Sequence, residues 1–241
     1  MYLDKFLEKS SIAKNTETLF ELFEDILEVF GFDRIACTIM SNHGELRETH
    51  ELGIIHIKNM EDWAKYYSEK NYIEHDAMQS AGIGHPGIFI WDDMAQDNWL
   101  NKKQIEIFQK AKEFGLHDGQ TVFVHGHDGV KMAILMARSQ SEERPDNDVL
   151  NIIQLASNQL LSCYLKLKKH QFKFTGNQLS PKEKQVMKWI AKGLNKADVS
   201  EKLSISPHTV DYHIRNVLKK LGAKNTVEAT AISIENKYIE L

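Results

Sequence analysis

Four side chains in the first half of this 241-residue chain could together hold a small amphiphilic molecule. Trp63 and Tyr67 are four residues apart, so they share one face of a helix predicted over residues 59–70. Asp76 follows in an aromatic-rich stretch, where a buried carboxylate needs hydrogen bonds such as one from a bound amide N–H. An indole donor, a phenol, this carboxylate and Trp91 as a flat wall suit a ligand with several carbonyls and one N–H. Aromatic residues at this spacing usually just fill a core.

A second polar surface is predicted on a helix near the carboxyl end. At 100° per residue, Val210, Ile214 and Val217 fall on one side and should face a core. The opposite side carries donors and aromatic groups suited to base edges and phosphates: His208, Tyr212, Arg215, Asn216 and Lys219, flanked by Thr209, Asp211, His213 and Lys220. Asp211 is an unfavourable neighbour for phosphate. Any amphipathic surface helix has a polar outer face, so the interpretation depends on the neighbouring helices.

Helix start signals recur at the spacing of a helix-turn-helix. Ser180 and Glu183 form a capping box around a proline at the first helical position. Asn195 caps a second helix, and Ser206-Pro207 repeats the cap-plus-proline start. The predicted helices run from Pro181 to a stop at Gly193, from Lys196 to about Leu203, and from Pro207 to about Leu221, before Gly222. Three capped helices in this order predict a domain that binds double-stranded DNA.

The residues of this segment resemble the LuxR-type DNA-binding domain. The resemblance spans residues 179–241 and rests on these motifs: Leu179-Ser-x-x-Glu183, Gly193, Ser206-x-x-Thr209-Val210, His213 and Leu218-Lys-Lys-Leu-Gly-Ala. It implies a transcriptional regulator with RNA polymerase as an expected partner. Because quorum sensors, phosphorylated response regulators and other regulators share this domain, the rest of the chain must show which kind of regulator this is.

Composition is consistent with two domains, because 241 residues with 42% apolar content can bury a main core and a smaller one. Residues 176–241 carry 11 Lys and Arg against 7 Asp and Glu, whereas residues 1–175 carry 19 against 27. A basic domain joined to an acidic one fits a DNA-binding regulator. Cys37 and Cys163 lie in apolar patterns typical of buried thiols. Neither a signal peptide nor a membrane span is predicted, so a cytoplasmic location is expected.

Helical and strand patterns alternate through residues 1–175. Helices are predicted at 17–30, 59–70, 102–114 and 146–169, and strands at 34–40, 48–53, 120–124 and 130–137, the last two joined by a hairpin at Asp128-Gly129. The predicted fold class is α+β, with an antiparallel sheet between helical layers in an α/β/α sandwich, followed by a small all-α domain. The apolar stripe of the longest helix suits packing on its own sheet or on a second copy of the chain, and the two are compatible.

The first domain also resembles the autoinducer-binding domain of LuxR-type quorum sensors. The motif runs from Trp63-x-x-x-Tyr67 through Asp76 to Trp91 and Gly115-Leu-x-x-Gly119, and the resemblance covers most of residues 10–170. It implies that Trp63 donates to a lactone carbonyl, Asp76 accepts the ligand amide N–H, Tyr67 lies beside the acyl carbonyl and Trp91 packs on the lactone ring. Gly119 is implied to allow close packing near the site.

Three positions depart from the family pattern. Ala77 replaces the Pro that usually follows the Asp, and Asn59 stands where a second Tyr is common. Leu135 occupies the strand position where many members offer a Ser or Thr hydroxyl. The head group of an acyl-homoserine lactone is therefore better supported than its acyl chain, and a 3-oxo substituent is not predicted. A regulator that responds to a non-lactone small molecule or acts without ligand remains an alternative.

The sequence gives less support to two other functions, an enzyme that uses His125 and His127 and a phosphorylated response regulator. His125-x-His127 points two imidazoles to one side of a predicted strand and could begin a metal site, but a polar hairpin tip explains these residues equally well. A response regulator needs an Asp at the end of an apolar strand beside an acidic pair, and Asp92-Asp93 does not provide it. The sequence thus predicts a non-enzymatic, cofactor-free homodimeric regulator that senses an N-acyl-homoserine lactone and binds inverted-repeat DNA. Its predicted domains are 1–168 for the autoinducer, 169–178 as linker and 179–241 for DNA.

Overall fold

The computed structural model describes residues 2–41, 53–96, 100–140, 144–171, 179–235 and 238–241. These residues form two compact units, the first of which ends at Gln171. Within the described ranges, no helix combines the length and the apolar character that crossing a membrane requires.

A five-stranded antiparallel sheet organises the first unit. Its strands are β1 (Arg34–Ile39), β2 (Ile54–Lys58), β3 (Gly87–Ile90), β4 (His117–His125) and β5 (Lys131–Arg138), in the spatial order β2-β1-β5-β4-β3. The strand predicted at 34–40 and the hairpin of β4 and β5 are confirmed. Residues 48–52 of the predicted second strand lie outside the described residues, and the described neighbour of β1 begins at Ile54.

Helices cover both faces of this sheet. One face packs against α1 (Tyr2–Ser11), α2 (Thr16–Glu28) and α7 (Asn147–Gln171), and the other against α3 (Glu61–Glu69), α4 (Ala77–Gly84), α5 (Trp91–Ala95) and α6 (Lys102–Glu113). Successive strand residues point to opposite faces. Val122 and Val124 of β4 accordingly join the first core, whereas Phe123 joins the second. The predicted α/β/α sandwich is confirmed.

The long helix α7 packs its apolar stripe on the sheet. Ile153, Ala156, Leu160 and Tyr164 are buried there. On the opposite side Leu155 is 55% exposed. The helix continues to Gln171, so the first three residues of the predicted linker are helical, and residues 172–178 lie outside the described part of the chain.

The described residues of the second unit form the three predicted helices and one more. They are α8 (Pro181–Ala191), α9 (Lys196–Leu203), α10 (Pro207–Leu221) and α11 (Thr226–Glu235). The Ser180, Asn195 and Ser206 side chains cap the first three as predicted. Helix α11 was missed because its buried face carries the small residues Ala229 and Ser233, which give little hydrophobic periodicity.

Candidate functional site

A mainly apolar cavity of about 150 Å³ lies on the sheet face covered by α3 and α4. Residues of β1, β4 and β5, including Ala36, Phe123 and Ala133, form its floor. Three of the four predicted ligand-binding residues line it: Trp63, Tyr67 and Asp76. The fold therefore brings these three residues to one cavity, with apolar walls beside them.

Among the described residues, the Asp76 carboxylate has two hydrogen-bond partners. Its Oδ1 accepts the backbone N–H of Met78 at 2.9 Å, which caps α4, and its Oδ2 accepts the Tyr67 hydroxyl at 2.9 Å. Burial raises the pKa of Asp76 above its ordinary value, and these two hydrogen bonds act in the opposite direction. Asp76 is thus a helix cap as well as a candidate ligand acceptor, and the capping role was not predicted from the sequence.

Aromatic rings hold this carboxylate in place. The Trp63 ring lies 5.8 Å from that of Tyr67 at an interplanar angle of 64°, an edge-to-face contact. Since Tyr67 donates its hydroxyl proton to Asp76, the phenol orients the carboxylate. The predicted contact of Tyr67 with an acyl carbonyl stays a prediction.

Trp91 lies next to the cavity instead of among its lining residues. It is buried at the start of α5, and its Nε1 donates to Oγ1 of Thr121 at 2.8 Å. Thr121 itself lines the cavity. A Cβ atom on Gly119 would lie 1.9 Å from Cε3 of Trp91, so the ring occupies the space that only glycine leaves open. The alternation of β4, which puts Thr121 on the same face as Phe123, could have identified this threonine.

The positions that depart from the family pattern have distinct surroundings. Asn59 is a turn residue with φ 55°, and its side chain donates to the Asp33 carbonyl at 2.9 Å. Ala77 is buried as the first residue of α4, and Leu135 lines the cavity. Of these three, Leu135 is therefore the departure that alters the cavity wall.

The histidine pair near the β4–β5 hairpin does not share a strand face, contrary to the prediction. Strand β4 ends at His125 and His127 belongs to the following turn, because the backbone folds back at Gly126, whose N–H donates to Val130. His125 Nε2 lies 3.1 Å from the carbonyl oxygen of Gly82. Among the residues that the structure describes, no group of three or more His, Cys, Asp or Glu side chains is arranged for a metal ion. Cys37 and Cys163 are buried free thiols, as predicted.

Helix α10 presents most of the predicted DNA-contacting side chains to solvent. His208, Tyr212, Arg215 and Lys219 are exposed, whereas Thr209 and Asn216 are partly buried. Asp211 binds Lys196 of α9 and lies 2.8 Å from Arg215. The hydrogen bond from Lys196 is the main cause of the lowered pKa of Asp211. The cations around Asp211 therefore offset the negative charge that is unfavourable for phosphate binding.

Lys220 fastens α10 to the start of α8. Its Nζ donates at 2.7 Å to Oε2 of Glu183, which is 3% exposed and also accepts the backbone N–H of Ser180 at 2.6 Å. Burial disfavours the charged form of Glu183, but the hydrogen bonds from Lys220 and Ser180 outweigh it and lower its pKa. A DNA contact by Lys220 stays a prediction.

Glu183→Gln should destabilise the second unit by about 1–3 kcal/mol, because the amide cannot replace the carboxylate in this ion pair. Because folding lowers the pKa of Glu183, its charge stabilises the folded state fully above the unfolded-state pKa of about 4.3. This stabilisation is lost as the pH falls through the folded-state pKa. Hydrogen exchange of the α8 and α10 amides at neutral and acidic pH measures the loss of stability and its pH dependence. Unchanged exchange in Glu183→Gln, with Lys184→Gln as the exposed control, would contradict it.

Comparisons with known proteins agree with this arrangement. Residues 15–165 match the family model "Autoinducer binding domain", and residues 177–233 match "Bacterial regulatory proteins, luxR family". The chain is 22% identical over 235 residues to the transcriptional activator protein BjaR1 of Bradyrhizobium diazoefficiens, covering 97% of this chain and 94% of that protein. It is 26% identical over 175 residues to the transcriptional activator protein LuxR of Aliivibrio fischeri, covering 71% and 69%.

The fold is also similar to solved structures. The crystal structure of Escherichia coli SdiA matches with a TM-score of 0.76 at 19% identity, over 100% of this chain and 98% of that one. SdiA in complex with octanoyl-rac-glycerol matches with a TM-score of 0.74 at 20% identity, over 100% and 96%. The two domain matches together span the sensory sheet and the helix-turn-helix, and this chain belongs to the LuxR family of autoinducer-binding transcriptional regulators, which are not enzymes.

Proposed function

We propose that the autoinducer of this regulator is an N-acyl-homoserine lactone. The observation that carries the proposal is the Asp76 carboxylate, held by Tyr67 at the wall of a mainly apolar cavity beside Trp63. A carboxylate acceptor fits the amide N–H of such a ligand, and the indole N–H of Trp63 fits its lactone carbonyl. The apolar sheet floor fits an acyl chain. Trp91, held by Thr121, would pack beside the lactone ring.

The regulator is further proposed to act in the cytoplasm as a homodimer on an inverted-repeat operator, in contact with RNA polymerase. A symmetric dimer suits two helices that read half-sites one turn apart. The exposed donors of α10, among them Arg215 and Lys219, support DNA reading by that helix. Ligand burial would order the sensory core, stabilise the dimer and set the spacing of the two α10 helices.

Thermal unfolding with a ligand panel tests the signal class. The panel contains acyl-homoserine lactones of varied chain length and octanoyl glycerol, the molecule named in the SdiA complex. A ligand that binds only the folded state raises its stability by mass action, about 2.7 kcal/mol at a hundred times its Kd. The proposal expects a rise in melting temperature with one lactone chain-length class. A rise with octanoyl glycerol alone would replace the lactone by an acyl glycerol.

Two variants on α10 separate phosphate contacts from base contacts. Lys219→Ala should weaken binding to all DNA and reduce the salt dependence, whereas Arg215→Ala should cost about 1–3 kcal/mol on the operator and relax sequence preference. Fluorescence anisotropy on operator and random duplexes at several salt concentrations measures both. Equal losses on the two duplexes for both variants would contradict these roles. Lys184→Ala, an exposed lysine of α8, is the matched control.

A further inference from the structure

Thr121 places a buried hydroxyl at the wall of the ligand cavity. The residue is 1% exposed and lies in β4, with its side chain among the cavity-lining residues. In the antiparallel ladder it stands directly opposite Leu135 of β5. Paired residues of neighbouring strands have Cβ atoms about 4.5–5.5 Å apart. Thr121 and Leu135 therefore contribute adjacent patches of the same cavity floor.

The direction of the Thr121 hydroxyl proton follows from its contact with Trp91. An indole N–H can only donate, so the 2.8 Å contact from Trp91 Nε1 uses a lone pair of Oγ1. The hydroxyl proton is left to be donated elsewhere. Within the described part of the chain, Thr121 has no contact that would accept this proton. Because an unsatisfied buried donor is costly, a proton acceptor is expected from the contents of the cavity.

The Tyr67 hydroxyl, which also borders the cavity, is already engaged. The Tyr67 hydroxyl donates its proton to the Asp76 carboxylate, so that proton is not available to a ligand carbonyl. A ligand carbonyl on the acyl side of the amide therefore needs a different donor. Leu135 cannot provide one, since its side chain has no polar atom.

We propose that Thr121 is a specificity-determining residue, whose hydroxyl donates to a carbonyl oxygen on the acyl side of the ligand amide. In related proteins, a Ser or Thr at the Leu135 position of β5 is expected to donate this hydrogen bond. In this chain the donor is Thr121, on the paired strand β4. The acceptor is the amide carbonyl itself or an oxo group at carbon 3, which share the same chemistry. This inference rests on the proposed function, because it requires an acyl amide ligand.

Binding titrations of the full chain with an unsubstituted and a 3-oxo acyl-homoserine lactone of equal chain length test the inference. Thr121→Val keeps the shape of the side chain but removes the donor, so it should weaken binding about tenfold to a hundredfold. Equal losses for both lactones identify the amide carbonyl as the acceptor, and a loss confined to the 3-oxo compound identifies the oxygen at carbon 3. Thr121→Ser should retain the wild-type affinity.

Two further variants exclude an indirect effect through Trp91. Trp91→Phe removes the indole N–H, and adding Thr121→Val to that variant should still weaken binding about tenfold. Leu135→Ser in the Thr121→Val protein should restore part of the affinity, by returning a hydroxyl to the paired strand. Wild-type affinity of Thr121→Val for both lactones, alongside loss of binding in Asp76→Asn, overturns the inference and leaves the proposed function intact. Failure of the wild-type chain to bind any lactone overturns both.

Discussion

Asp76→Asn is expected to reduce the affinity for the lactone at least about a hundredfold while leaving the unliganded protein folded. The amide oxygen of Asn can still cap α4 by accepting the Met78 N–H, since Asn and Asp cap helices equally well. Its NH₂ group then occupies the place of Oδ2 and opposes the ligand N–H, donor against donor. Losing a charge-assisted hydrogen bond and leaving a buried donor unpaired costs about 3 kcal/mol. Calorimetric titration measures the affinity.

Asp76→Ala provides the comparison that separates the two roles of this carboxylate. It removes the helix cap as well as the ligand acceptor, so it should also lower the stability of the unliganded protein by about 1 kcal/mol. Melting temperatures of both variants without ligand measure that difference. If Asp76→Asn bound the lactone as tightly as the wild type, Asp76 would be a structural cap only.

Gly119→Ala should destabilise the sensory unit by about 3 kcal/mol or more. The added methyl would lie 1.9 Å from the Trp91 ring, which is buried and donates a hydrogen bond to Thr121. The backbone of Gly119 does not have the positive φ that favours glycine, so the cost is steric. Inserting a methyl group into a packed core typically costs about 1–3 kcal/mol and sometimes more. Urea unfolding of the full chain measures the loss.

A double-mutant cycle identifies the cause of that loss. Trp91→Leu shortens the opposing side chain, so Gly119→Ala should cost less than about 1 kcal/mol in that background. The same cost in both backgrounds would mean that contacts other than Trp91 make glycine necessary.

The features that could best be predicted from the sequence are those that depend on residues close together along the chain. Ser180, Asn195 and Ser206 cap helices through hydrogen bonds spanning three residues, so α8, α9 and α10 could be read directly from the chain. Helix α4 was missed because its sequence AMQSAGIG has no amphipathic period, and its cap is the very aspartate interpreted as a ligand residue. Strand β3 is only four residues long, too short for alternation to stand out.

Features that depend on strand pairing could not be predicted in this way. The approach of Trp91 to Gly119 and Thr121 joins α5 to β4 across about 30 residues of chain. The pairing of Thr121 with Leu135 depends on the register of two strands, which only the folded sheet defines. The same limit explains Lys220. The sequence placed it on a flank of the predicted DNA-facing side, but its ammonium pairs with Glu183, 37 residues away.

Operator affinity with and without the lactone tests the central claim most directly. An operator is first selected from random duplex DNA with the liganded full-length protein, and its Kd is then measured by fluorescence anisotropy in both states at one salt concentration. Ligand-dependent ordering of the sensory core predicts operator binding at least about tenfold tighter with the lactone, equivalent to 1.4 kcal/mol of coupling. Equal operator affinities, from a protein that demonstrably binds the lactone, would contradict the account.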